Sequence, residues 1–177
     1  MTTPEIRQED IVAAVTSATR EVFSTMLCLS LEPDDARSEA AEAASFDGVV
    51  ALVGIAGSWT GSGRISCSPQ FACRLAGALL MSSYAAVDED VLDAVAEIAN
   101  MIVGNVKTIF EEKLGPLGLS VPTVIFGRNY QTRSSGVTRW TVVPFRSGEE
   151  SMEVRFCLMP ARHHPHPPLR SDIMQPA

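Results

Sequence analysis

Four residues in an otherwise apolar stretch carry most of the chemical information in this chain. Between Asp88 and Lys107, the residues Asp93, Glu97, Asn100 and Gly104 recur at spacings of four, three and four. On a helix that spacing puts them in a single stripe. Side chains three apart, such as Glu97 and Asn100, are neighbours separated by about 5–6 Å at Cβ. A carboxylate and an amide that close can touch one small site. The carboxylate can pair with a cation, and the amide can donate to and accept from one water molecule. Asparagine is a mediocre helix former and glycine a poor one, so an apolar helix has no local reason to carry both one turn apart. Gly104 removes a side chain near Asn100, which would admit either a neighbouring helix or a partner surface. Asp93 reads as a solvent or partner-rim charge rather than a catalytic acid. Taken alone, a polar stripe on a helix usually faces only water.

Other chemistries find little support. The three histidines, His163, His164 and His166, all fall in a Pro-rich stretch after Pro160, so no Ser/His/Asp arrangement is available earlier. Cys28, Cys67, Cys73 and Cys157 have no metal-ligand or CxxC spacing and read as reduced core residues. Gly57, Gly61 and Gly63 do not form a phosphate-cradling fingerprint and read as turn residues. The net charge of −7 and pI near 4.9 argue against a nucleic-acid partner. The first ten residues lack a basic start followed by an apolar run, and no run of 18 apolar residues occurs anywhere. No membrane association is expected, and the cytoplasm is the expected compartment.

The elements that position the stripe can be read from periodicity. Residues 8–28 repeat apolar positions at helical spacing (Ile11, Val12, Val15, Ala18, Val22, Phe23, Met26), whereas 33–45 are polar and alanine-rich and read mainly as an irregular connection. Residues 47–57 form a buried strand, 58–63 a glycine-bearing turn and 64–67 a returning strand. Ser68-Pro69 caps a helix to about Ser82, with Phe71, Ala72, Leu75, Leu79 and Leu80 toward the core. Asp88 to Asp90 open the longest helix, whose apolar face is Leu92, Val95, Ala99, Ile102, Val103, Val106 and Phe110, and Gly115-Pro116 ends it. Strands follow over 120–127, 137–145 and 152–158, separated by turns. Trp59 and Trp140 read as core. The expected class is α+β: a layered, mostly antiparallel sheet packed against long helices, built by residues 1–160, with 161–177 a Pro/His-rich tail without packed elements.

Glu97-Ile-Ala-Asn100 followed by Met101 to Asn105 resembles the Glu-x-x-Asn signature of the CheX and CheC phosphatases. Asp93 to Glu97 before it, and the Pro-containing stretch Ser120 to Gly127 after it, are similar to the same family, and the likeness spans roughly residues 8–160. CheC-like members carry two such signatures and CheX-like members one; this chain has one. The resemblance implies the CheC-like fold and hydrolysis of the aspartyl-phosphate of a CheY-like response-regulator receiver domain. It implies that Asn100 orients the attacking water, that Glu97 docks a receiver lysine, and that Asp93 and Gly104 contact the partner. It further implies a homodimer, with no cofactor bound by this chain and Mg²⁺ carried by the receiver. Two other readings stay open: a non-catalytic receiver-binding or adaptor module, and a flagellar-switch-like structural component of the same fold, the latter disfavoured because no extra docking domain is legible.

Overall fold

The computed structural model describes residues 4–40, 44–132 and 139–161. The chain starts with helix α1 (Gln8–Val22), which runs on as a π-helical turn over Phe23–Leu27 and stops at Cys28 in the left-handed region at φ 52°. Strands β1 (Glu32–Pro33), β2 (Arg37–Ala40), β3 (Ala44–Gly57) and β4 (Trp59–Cys67) follow. Helices α2 (Pro69–Leu80) and α3 (Glu89–Leu114) come next, then β5 (Leu117–Leu119), β6 (Thr123–Thr132), β7 (Arg139–Ser147) and β8 (Glu150–Pro160). Val137 and the tail beyond Ala161 lie outside the described residues. The amide of Ala161 still bonds to the Ser58 carbonyl at 3.1 Å.

All described strands join one antiparallel sheet in the order β1-β7-β8-β4-β3-β5, with β2 also on β7 and β6 also on β3. The fold is thus α+β. Register decides the two faces. Val49, Cys67, Met152 and Phe145 form one row, and Ala51, Ile65, Val154 and Val143 the next; all eight are buried beneath the helices. Helix α3 lies on β3, β4, β5 and β6, and α1 and α2 both pack against it. The ends of α2 and α3 are marked as the sequence suggests. The Ser68 hydroxyl accepts from the amide of Phe71 at 3.0 Å, and the Asp88 carboxylate from that of Val91 at 3.0 Å, each satisfying one orphan donor of a first turn.

Several expectations need correcting. Residues 33–45 are not simply irregular, because β1 and β2 lie in this region and pair with β7. Their signal was hidden because the alternate residues of β2, Arg37 and Glu39, are charged and belong to an ion-pair lattice rather than an apolar face. The turn at 58–63 is shorter than read: β4 begins at Trp59, and Gly61 and Gly63 are strand residues. Only Gly57, at φ +158°, sits at the hairpin's end. A Cβ on Gly63 would lie 2.3 Å from Cγ2 of Val103 on α3, so the glycine serves close packing of helix on sheet. Leu80, expected toward the core, and Met26, the last member of the first helix's apolar repeat, are exposed at the ends of their helices, and Cys28, expected in the core, is exposed too. Trp59 is buried and Trp140 half-buried. Burial pushes the thiols of Cys67 and Cys157 up to about 12 and about 11, so both stay protonated and inert at neutral pH.

The sheet face away from the helices carries the ion-pair lattice. Arg155 bonds Glu39 at 2.7 Å and Glu153 at 3.0 Å, and Arg37 bonds Glu153 at 2.5 Å and Glu39 at 2.6 Å. The Arg64 guanidinium lies 3.7 Å from the centre of the Phe46 ring. Burial pulls the Glu153 carboxyl up, but the hydrogen bonds from Arg37 and Arg155 outweigh it and hold the group below its ordinary value. A carboxylate with a lowered folded pKa stabilises above its unfolded value, about 4.3, and loses that contribution as pH falls through the folded one. Wild type is therefore expected to melt above Glu153→Gln near neutral pH. The gap should close as pH is taken from about 5 to 3, and a gap that ignores pH would locate the effect elsewhere.

Candidate functional site

Helix α3 is rigid where the stripe sits. Val91, Ala94, Val95, Ile98, Ala99, Ile102, Val103 and Val106 are buried against the sheet and the flanking helices. That burial leaves Asp93, Glu97, Asn100 and Gly104 on the opposite side: Asp93 and Glu97 exposed, Asn100 and Gly104 half-buried. The structure therefore brings all four residues onto one face. Asp93, Glu97 and Asn100 have no hydrogen-bond or ion-pair partner among the described residues. An amide and a carboxylate that face outward from a fixed backbone, with no internal partner, are available to a ligand or a second protein.

The stripe has a charge gradient. Toward the helix start, Glu89, Asp90, Asp93 and Glu97 are exposed acids, a distribution that suits the positive helix end. Toward the other end, Lys107 pairs with Glu111 at 2.8 Å. Glu111 also accepts from the amide of Leu117 at 2.8 Å. The Lys107 and Leu117 bonds hold the Glu111 carboxyl below its usual range, and they tie the start of β5 to the end of α3.

Gly104 was open to two readings, packing against a helix or clearance for a partner. Among the described residues no helix packs there, and a Cβ on Gly104 would meet Cδ1 of Leu119 alone, at 3.7 Å, an ordinary contact. Gly104→Ala thus fits, and it should stabilise the fold by about 0.5–1 kcal/mol through helix propensity, read as a higher midpoint in urea. If the stripe is a docking surface, the same variant should weaken whatever docks there. Stability and function moving in opposite directions is the expected signature of a glycine kept for clearance.

The sequence reads Ser120 to Gly127 as a Pro-containing strand entry; that Leu119, just before it, borders Gly104 on α3 comes only from tertiary contact. Among the described residues, no group of three or more His, Cys, Asp or Glu side chains is gathered to hold a metal ion, and no helix is long and apolar enough to cross a membrane.

Comparison with known proteins adds a family. The family described as chemotaxis phosphatase CheX matches residues 49–146, more than half of the chain. The crystal structure of CheX from Desulfovibrio desulfuricans is 27% identical with a TM-score of 0.76, covering 85% of this chain and 99% of that one. CheX from Vibrio vulnificus is 26% identical with a TM-score of 0.73 over the same shares. CheX from Borrelia burgdorferi, solved in a complex with CheY, BeF₃ and Mg²⁺, is 26% identical with a TM-score of 0.70, covering 85% of this chain and 96% of that one. No curated protein matches the sequence.

Proposed function

We propose, from the premise that this chain belongs to the CheX family, that it hydrolyses the aspartyl-phosphate of a CheY-like receiver domain. The observation that carries the reading is the unengaged Glu97/Asn100 pair, presented outward on one face of a packed helix. An acyl phosphate is already reactive, so a catalyst can work by positioning alone. The water oxygen bonds to phosphorus, the bond from phosphorus to the aspartate oxygen breaks, and inorganic phosphate leaves with the water's proton on phosphate or solvent. Asn100 can hold that water in line by donating to it and accepting from it. Glu97 can pair with a lysine of the receiver and so fix the docking geometry. Asp93 and Gly104 form the rim that the partner meets. On this reading the chain needs no metal of its own, and the Mg²⁺ that takes up charge belongs to the receiver.

The family likeness also supports a homodimer and a cytoplasmic setting, and sedimentation would report the first. The test of activity is the decay of phosphorylated receiver domains with Mg²⁺, with and without this protein. Faster decay supports the phosphatase. Binding to the phosphorylated receiver without faster decay would instead make the chain a receiver-binding adaptor.

A further inference from the structure

Two residues past Leu119, which borders Gly104, stands an exposed apolar side chain on a short, tightly held loop. Val121 is 85% exposed, and its neighbour Ser120 is clamped to β3. The Ser120 amide donates to the Gly54 carbonyl at 2.9 Å, and the Gly54 amide donates to the Ser120 hydroxyl at 2.8 Å. That hydroxyl donates in turn to the Val121 carbonyl at 3.0 Å. A Cβ on Gly54 would come within 3.3 Å of the Ser120 oxygen, so the glycine keeps room for the clamp. One residue earlier, Leu119 touches the position a Gly104 side chain would take. The loop therefore follows directly on the residue that borders Gly104, the last member of the stripe.

Single exposed apolar side chains are ordinary on protein surfaces. Val121 differs because it follows directly on the Ser120 clamp, which ties its chain to β3 and bonds its own carbonyl, two residues past the Leu119 that borders Gly104. Asp93, Glu97 and Asn100 offer charge and an amide, but no apolar anchor. Protein interfaces draw most of their energy from a few buried apolar groups, with charge setting register and rate. We infer that Val121, held by the Ser120/Gly54 clamp, is a second contact for the receiver domain and inserts into an apolar patch next to the receiver's phosphorylation site. The inference rests on the receiver-directed reading of the stripe and adds the affinity determinant that the stripe lacks. Val121 acts on binding, whereas Asn100 acts on turnover.

The test measures two quantities for the full chain: affinity for the receiver loaded with BeF₃⁻ and Mg²⁺, and the KM and kcat of dephosphorylation. Val121→Asp should weaken affinity and raise KM by about tenfold, the scale of one lost interface anchor, while the effect on kcat stays small. Val121→Ile should bind like wild type, and the melting temperatures of both variants should match it, because the side chain is almost wholly exposed. Unchanged affinity and KM in Val121→Asp would overturn the inference while leaving the phosphatase intact. If wild type binds without accelerating decay, the phosphatase reading falls and affinity alone judges Val121. If wild type neither binds nor dephosphorylates any receiver, both fall.

Discussion

Asn100→Ala is expected to slow the hydrolysis of phosphorylated receiver by on the order of 100-fold relative to wild type. The magnitude is that of removing one prepositioned hydrogen-bonding group from a site that works mainly by orientation. Asn100 makes no hydrogen bond within the described fold and is half-buried, so its removal should leave the melting temperature almost unchanged. The helix around it should even gain slightly, because alanine has the higher helix propensity. Loss of activity without loss of stability separates a positioning amide from a structural one. Binding provides the second readout. Asn100→Ala should still bind receiver carrying BeF₃⁻, whereas Glu97→Ala should bind it more weakly, because a carboxylate paired with a lysine contributes before the water is attacked. If Asn100→Ala accelerates decay as well as wild type, Asn100 does not orient the water and the proposed mechanism is wrong.

The second large effect concerns how the stripe is held. Gly63→Ala is expected to destabilise the protein by about 1–3 kcal/mol, the usual range for overpacking a tight interior. A Cβ there would lie 2.3 Å from Cγ2 and 3.1 Å from Cγ1 of Val103, a branched side chain that cannot swing clear inside a helix. For a chain of this length each kcal/mol corresponds to about 2–4 °C in melting temperature. The discriminating experiment is a double-mutant cycle with Val103→Ala. Val103→Ala alone opens a cavity under α3, and in the Gly63→Ala background it also removes the clash. The two changes together should cost less than their sum. Additive costs would show that α3 does not rest on Gly63. Because Val103 follows Asn100 by three residues, Gly63→Ala should also displace the stripe and reduce receiver hydrolysis at temperatures where the protein is still folded.

Much of the architecture could be read directly from local pattern. The 3.6-residue repeat located α1, α2 and α3, the capping Ser68 and Asp88 marked where two of them start, and period-two alternation located β8. These signals are short-range, since a helix satisfies its backbone within itself and declares its buried face by spacing alone. The same logic placed Asp93, Glu97, Asn100 and Gly104 on one stripe, and the structure puts them there. The strands read poorly where their partners are distant. Strand β2 was obscured because Arg37 and Glu39 are satisfied by Glu153 and Arg155, residues more than a hundred positions away. Gly61 and Gly63 looked like turn residues because glycine's local preference is for turns, and only the seating of Val103 and the neighbouring β8 backbone shows why they lie within a strand.

By itself, then, the sequence determined the helices, the class of fold, the family likeness and the set of residues able to handle a water and a cation. Each of these depends on neighbours within a turn or on a contiguous motif. The tertiary structure alone decided that Gly104 faces a strand rather than a helix, and that the Ser120/Gly54 clamp fixes the chain between Leu119, which borders Gly104, and the exposed Val121. Those facts depend on contacts between residues far apart in the chain, such as Gly54 with Ser120 and Gly104 with Leu119. No local preference encodes such contacts; they follow from the packing of the whole sheet.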